Sequence, residues 1–240
     1  MYLDDIIIFG RTLEEHRERL SLVLSRLAEA GVKINPKKCK LLSEQVVVLG
    51  HVVTEDGLST DPEKVRVINK WPTPADATQL KAFLRTAGYY RQFVPNCAQN
   101  ACPLYHAEQK GDTLTWTVEC EEAFRKIKRH LSNAPTLAFP RLDVPFVLDT
   151  VASDTGLGAL LSQVQDGQER VIAYAARALS KAERNYSTTR KELLALVWGP
   201  EHFETYLCGR RFLPKTDYNA LRWLRNFKNP RVRWLGGLSG

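Results

Sequence analysis

Phe146-Val147-Leu148-Asp149-Thr150-Val151-Ala152-Ser153 is the stretch on which the fold turns. Its apolar residues predict a strand over Phe146 to Val151, and two further strand patterns follow, Leu157 to Val164 and Val171 to Arg177. Between the first two, Gly156-Leu157-Gly158 is too short for a phosphate loop and reads as a turn. Ser187-Thr188-Thr189 then supplies a cluster of N-cap formers. The apolar run Leu193, Leu194, Leu196, Val197 and Trp198 behind it predicts a largely buried helix. Phe212 to Thr216 reads as a short strand and Asn219 to Phe227 as a short helix. Three strands, a helix, a strand and a helix make an α/β domain on a mixed sheet.

Upstream, Pro135, Pro140 and Pro145 punctuate a linker, and before it the pattern is helical. A helix over about Val118 to Leu131 turns Phe124, Ile127 and Leu131 inward and Arg125, Lys126, Lys128 and Arg129 outward. Another starts near Asp76, with Leu80, Phe83, Leu84, Ala87 and Tyr90 inward and Lys81, Arg85 and Arg91 outward. Helical sequence begins at residue 58, where Asp61-Pro62 is an N-cap followed by proline at N1, and Trp71-Pro72-Thr73-Pro74 forces a break. The first segment is mixed. Leu3 to Phe9 reads as a strand pair turning at Asp4-Asp5. Thr12-x-x-Glu15 caps a helix with an apolar face of Leu20, Val23, Leu24 and Leu27, which Gly31 ends. A basic turn through Pro36, Lys37, Lys38 and Lys40 leads to an apolar strand, Val46 to Leu49, running on into Gly50-His51-Val52-Val53. This α+β layer reads as cut off at its front, because residues 1 to 3 are too few for a strand to pair with Ile6 to Phe9.

With 240 residues, the chain has room for one to two domains. Apolar residues at 44% and charged residues at 25% exclude a wholly disordered or fibrous protein. No apolar run approaches the roughly 18 residues of a membrane span, and acids stand at the N-terminus where a signal peptide is basic, so a soluble intracellular protein, cytoplasmic or nuclear, is expected. The 34 Lys and Arg against 27 Asp and Glu give +7, which favours a polyanionic partner, nucleic acid first. Five scattered cysteines with no CxxC pair read as free thiols.

Tyr2-Leu3-Asp4-Asp5 resembles the YxDD motif of reverse transcriptases, and further matches follow in order. They include Leu49-Gly50-His51, Thr60-Asp61-Pro62-Glu63-Lys64, Trp71-Pro72-Thr73-Pro74, Gly88-Tyr89-Tyr90-Arg91-Gln92-Phe93, Leu179-Ser180-Lys181-Ala182-Glu183-Arg184-Asn185-Tyr186-Ser187-Thr188-Thr189 and Lys191-Glu192-Leu193-Leu194-Ala195. The chain is thus similar, over nearly its whole length, to the Pol polyprotein of gypsy-like long-terminal-repeat retrotransposons. The resemblance implies an α+β remnant of a polymerase palm (1–57), a helical thumb (58–108), a connecting region (109–142) and an α/β ribonuclease H-like domain (143–240). It also implies RNA-directed DNA synthesis, cleavage of RNA in RNA/DNA hybrids, nucleic acid as partner beside other Pol segments, and Mg2+ as cofactor. Two hard cations held close together need anionic oxygens and clamp the attacking and leaving oxygens of a phosphoryl transfer.

By the same resemblance, Asp4 and Asp5 are the polymerase metal carboxylates, Glu192 and Asp217 are two of four ribonuclease H metal carboxylates, and Gly50 lies in the primer grip. Lys81, Arg85 and Arg91 are the candidate phosphate contacts. The pattern is also broken. Thr150-Val151-Ala152-Ser153 has valine where the family has its first ribonuclease H aspartate, and Asp149 stands about 7 Å away by strand rise. Gly199-Pro200 falls inside the helix that carries Glu192, Pro214 falls inside the strand before Asp217, and Tyr218 replaces a usual histidine. The palm's further aspartate and the fourth ribonuclease H acid are not in the sequence. The expectation is a reverse transcriptase/ribonuclease H fragment that is catalytically incomplete. The alternatives are a non-catalytic nucleic-acid-binding module and an expressed relic.

Overall fold

A computed structural model describes residues 6–108 and 114–215, and the backbone of 233–234. Residues 6–10 form no strand. Ile6, Ile7 and Phe9 are exposed, with no neighbouring strand among the described residues to pair with, which corrects the expected strand. Helix α1 (Leu13–Glu29) begins as its sequence dictates, the Thr12 hydroxyl accepting from the Glu15 N–H at 3.2 Å, and Gly31 ends it at φ +70°. No residue of α1 is buried.

The run from Val46 to Val53 is a hairpin, not one strand. Leu49 and Gly50 both take positive φ, +49° and +71°, the geometry of a two-residue turn matched to strand twist. It joins β1 (Val46–Val48) to β2 (His51–Thr54), and β3 (Gly57–Thr60), a strand not read from the sequence, completes an antiparallel sheet. The helix starts at the Asp61 cap with Pro62 at N1, as the sequence places it, and forms α2 (Pro62–Asn69). Next come α3 (Ala77–Tyr89), a 3-10 turn at Arg91–Phe93, α4 (Cys97–Glu108) and α5 (Val118–Ser132). Ile68, Leu80, Phe83, Phe93, Leu104, Ile127 and Leu131 fill the core between them, each at most 1% exposed. Helix α4, which carries Pro103 internally, is an addition to the elements read from sequence.

The strands β4 (Phe146–Ala152), β5 (Gly156–Gln165) and β6 (Gln168–Ala178) run antiparallel. After α6 (Lys181–Arg184), α7 (Thr188–His202) and α8 (Glu204–Leu207), strand β7 (Arg211–Lys215) adds parallel to β4, and β8 (Arg233–Trp234) adds to β7. The sheet order is β6-β5-β4-β7-β8, the mixed sheet expected. Gly156 and Gly158 lie in β5 and form no turn. They let the helical unit approach: a Cβ on Gly158 would collide with Asn96 Oδ1, and Gln99 Nε2 donates to the Gly156 carbonyl at 3.0 Å.

Helix α7 runs through Gly199-Pro200, and Gly199 sits against Thr150, Leu148 and Ala159. Of the five apolar residues expected to be buried, Leu196 is, while Leu193, Leu194 and Trp198 are half-buried and Val197 is exposed. Pro214 pairs with Leu148 of β4. The described β7–β8 pairing reaches only Arg211 and Phe212, so β7 has a single described neighbour at the proline. Lys128, expected outward on α5, folds back over the Phe124 ring and donates to the Trp71 carbonyl at 2.8 Å. The expected helix over 219–227 lies outside the described residues.

Candidate functional site

The last residues of β4 and the first turn of α7 meet at a polar corner. Ser187 caps α7 by accepting from the Arg190 N–H at 3.4 Å, and this start places Glu192 on the strand side, 6% exposed. Glu192 Oε1 accepts from the Ala152 N–H at 3.2 Å. Beside it the buried Lys191 reaches out of the helix, its Nζ donating to Asp154 Oδ1 at 2.8 Å, and this ammonium holds the Asp154 carboxyl below its ordinary range. The pair fastens the β4–β5 turn to the helix. Sequence reasoning missed it because a lysine and an aspartate 37 positions apart both read as surface residues.

Val151 adjoins Ala152 at this corner. Thr150 faces Gly199 of α7, so by strand alternation Val151 points to the opposite face, where its Cγ1 lies beside Gly158. It offers no oxygen. Among the described residues no three His, Cys, Asp or Glu side chains could together hold a metal ion. Glu192 is the only predicted carboxylate described there and Val151 supplies no oxygen, so the described residues by themselves are too few in anionic ligands for a magnesium pair. Asp4, Asp5 and Asp217 lie outside the described residues.

The other predicted residues gather around α3. Asp76 caps this helix by accepting from the Gln79 N–H at 2.7 Å. Lys81 and Arg85 follow one turn apart on its exposed side, and Arg91 is exposed on the 3-10 turn beyond the helix, no longer on one continuous helix with them. Arg91 also reaches toward α7, where burial first and this guanidinium second lower the pKa of His202.

The hairpin turn docks on the end of α3. Tyr89 Oη donates to the Leu49 carbonyl, and Tyr90 Oη donates to the Gly50 carbonyl at 2.8 Å. His51 stacks on Tyr89 with ring centroids 5.2 Å apart and meets Tyr90 edge-on at 5.5 Å. Burial lowers the His51 pKa, and burial, with Asp61 and Tyr89 nearby, pushes Tyr90 up to about 12. Gly50 thus brings backbone close to these two tyrosines. The structure joins Gly50 to the element bearing Lys81 and Arg85 and leaves Glu192 at a separate corner.

Residues 1–53 match the family model of reverse transcriptase (RNA-dependent DNA polymerase), and residues 116–213 match the RNase H-like domain found in reverse transcriptase. The retrovirus-related Pol polyprotein from transposon 297 of Drosophila melanogaster is 42% identical over 243 residues, covering 100% of this chain and 23% of the relative. That from transposon gypsy of the same species is 34% identical over 250 residues, covering 98% and 24%. The chain therefore spans about a quarter of the length of these curated relatives. Among solved structures, foamy viral protease-reverse transcriptase in complex with double-stranded DNA superposes with a TM-score of 0.81 at 25% identity, over 98% of this chain and 42% of that one. The complex with RNA/DNA hybrid gives 0.80 at 25%, over 98% and 32%. Homology along the whole chain, two domain models in the expected order and a shared fold agree: the chain is homologous to retrotransposon Pol polyproteins and corresponds to parts of their reverse transcriptase and RNase H-like domains.

Proposed function

We propose that this chain serves reverse transcription by holding a nucleic-acid duplex, with a ribonuclease H-like corner whose first metal carboxylate is replaced by Val151. In this reading residues 1–57 close a palm, 58–108 are the thumb, 109–142 connect and 143–240 form the ribonuclease H-like domain. The observation that carries it is the exposed placement of Lys81 and Arg85 on α3, followed by Arg91, beside the docked Gly50 turn. Cations in this arrangement neutralise phosphates and release counterions without reading bases. The solved relatives hold double-stranded DNA and RNA/DNA hybrid, which supports a duplex as the ligand here.

The test is a titration of monodisperse protein with duplex DNA and with RNA/DNA hybrid over roughly 50 to 200 mM salt. Affinity should fall steeply with salt for both, and the combined Lys81→Glu, Arg85→Glu, Arg91→Glu variant should bind every sequence more weakly with a flatter salt slope. Binding that ignores salt, or survives the triple reversal unchanged, refutes the reading.

A further inference from the structure

Tyr90 ends α3 as its C-cap, its N–H donating to the Ala87 carbonyl at 3.1 Å, so its backbone is fixed to the helix that carries Lys81 and Arg85. The ring is 3% exposed, edge-on to His51 and tilted against Phe93. Its hydroxyl donates at 2.8 Å to the Gly50 carbonyl, which also accepts from the Asp61 N–H at 3.3 Å. Asp61 in turn caps α2, its Oδ1 accepting from the Glu63 N–H at 2.9 Å. One carbonyl thus ties the hairpin turn to the ends of two helices. The preceding carbonyl, that of Leu49, accepts from Tyr89 Oη. Gly50, at φ +71°, therefore lies between two clamped peptides. In a planar trans peptide the N–H points opposite to the C=O, so the Gly50 N–H is directed away from the hydroxyl that holds the Leu49 carbonyl.

We infer that Tyr90, together with Tyr89, is a positioning residue for duplex binding: it holds the Leu49-Gly50 turn so that the Gly50 N–H meets a phosphate of the duplex that Lys81 and Arg85 contact. The inference rests on the duplex-holding reading above and adds to it a residue that acts through another. Tyr90 is too buried to touch the duplex itself. A glycine left free would sample many backbone conformations, and the two clamped carbonyls remove that freedom before the ligand arrives. Burial, with Asp61 and Tyr89 nearby, pushes the Tyr90 hydroxyl up to about 12, so it remains a donor at neutral pH. The contact made by the turn is neutral. A backbone amide adds a hydrogen bond to a phosphate oxygen but displaces no counterion, whereas each cationic side chain does. The turn and the basic face of α3 therefore differ in how salt acts on them.

The experiment titrates the full chain with duplex DNA at several salt concentrations and follows the Gly50 amide by proton–nitrogen correlation NMR. Binding should move the Gly50 amide proton downfield. Tyr90→Phe, which keeps the ring, should shrink that shift and weaken binding roughly two- to tenfold, with the slope of log affinity against log salt unchanged. Tyr89→Phe should act in the same direction, while the triple reversal of Lys81, Arg85 and Arg91 flattens the slope. Leu104→Val thins the core between the helices at a fully buried position. It should lower the melting temperature yet leave the affinity and the Gly50 shift intact, which separates lost stability from lost aim. A bound duplex with an unmoved Gly50 amide, or Tyr90→Phe binding as tightly as the parent chain, overturns this inference alone. Absence of any duplex binding refutes the reading beneath it and the inference with it.

Discussion

At Gly50 the backbone sits at φ +71°, and a Cβ there would lie 3.1 Å from Tyr90 Oη. Gly50→Ala should cost about 1–2 kcal/mol, seen as a lower melting temperature together with faster amide exchange in β1 and β2. Glu183 is a second such residue. Its carboxylate accepts two hydrogen bonds of 2.9 Å from Arg177 and one from the Ser180 N–H, which bring its pKa down to about 2. A folded pKa below the unfolded value of 4.5 means that the pair's stabilisation is complete above pH 4.5 and is lost as pH falls toward 2. Glu183→Gln should therefore melt lower at neutral pH and show a flatter acid limb between those values, as followed by thermal melts across pH. An unchanged acid limb would show that the pair does not contribute. Both residues act through neighbours that the sequence alone did not identify: Gly50 through the tyrosines 39 and 40 positions on, and Glu183 through Arg177.

Among the elements, α3 was the most legible. Leu80, Phe83, Leu84, Ala87 and Tyr90 follow the helical spacing and are all buried, and Lys81 and Arg85 are exposed as their polarity demands. Asp76→Ala, which removes the acceptor for the Gln79 N–H, should destabilise α3 by about 1 kcal/mol and weaken duplex binding with it, measured by melting and by titration. Helix α7 was legible as a helix but not in its orientation. The buried set Glu192, Ala195, Leu196, Gly199 and Pro200 keeps the three-to-four spacing, but it runs through a carboxylate, a glycine and a proline that a hydrophobicity reading discounts. Close approach at Gly199 selects that face over the more apolar one bearing Leu193 and Val197. Helix α4 was hidden by Pro103. The hairpin at Leu49-Gly50 was hidden by an apolar run with no polar turn residue.

Across the whole molecule, a helical unit and a mixed sheet share one seam, where Gln99 meets Gly156, Asn96 meets Gly158, and Val171 and Tyr174 join the helical core. Gly158→Val should loosen this seam and lower the melting temperature, because β5 has no room for a side chain beneath Asn96. On one side of the seam is the basic face of α3. On the other is a corner where Glu192 holds the Ala152 N–H and Val151 contributes no ligand. Under the proposed function, duplex binding and hybrid hydrolysis are therefore separable. The decisive measurement saturates the protein with RNA/DNA hybrid in Mg2+ and follows both the bound fraction and the integrity of the RNA strand. The hybrid should be bound, in a salt-sensitive manner, with its RNA intact. Cleavage of the RNA that disappears in Glu192→Ala would contradict the account.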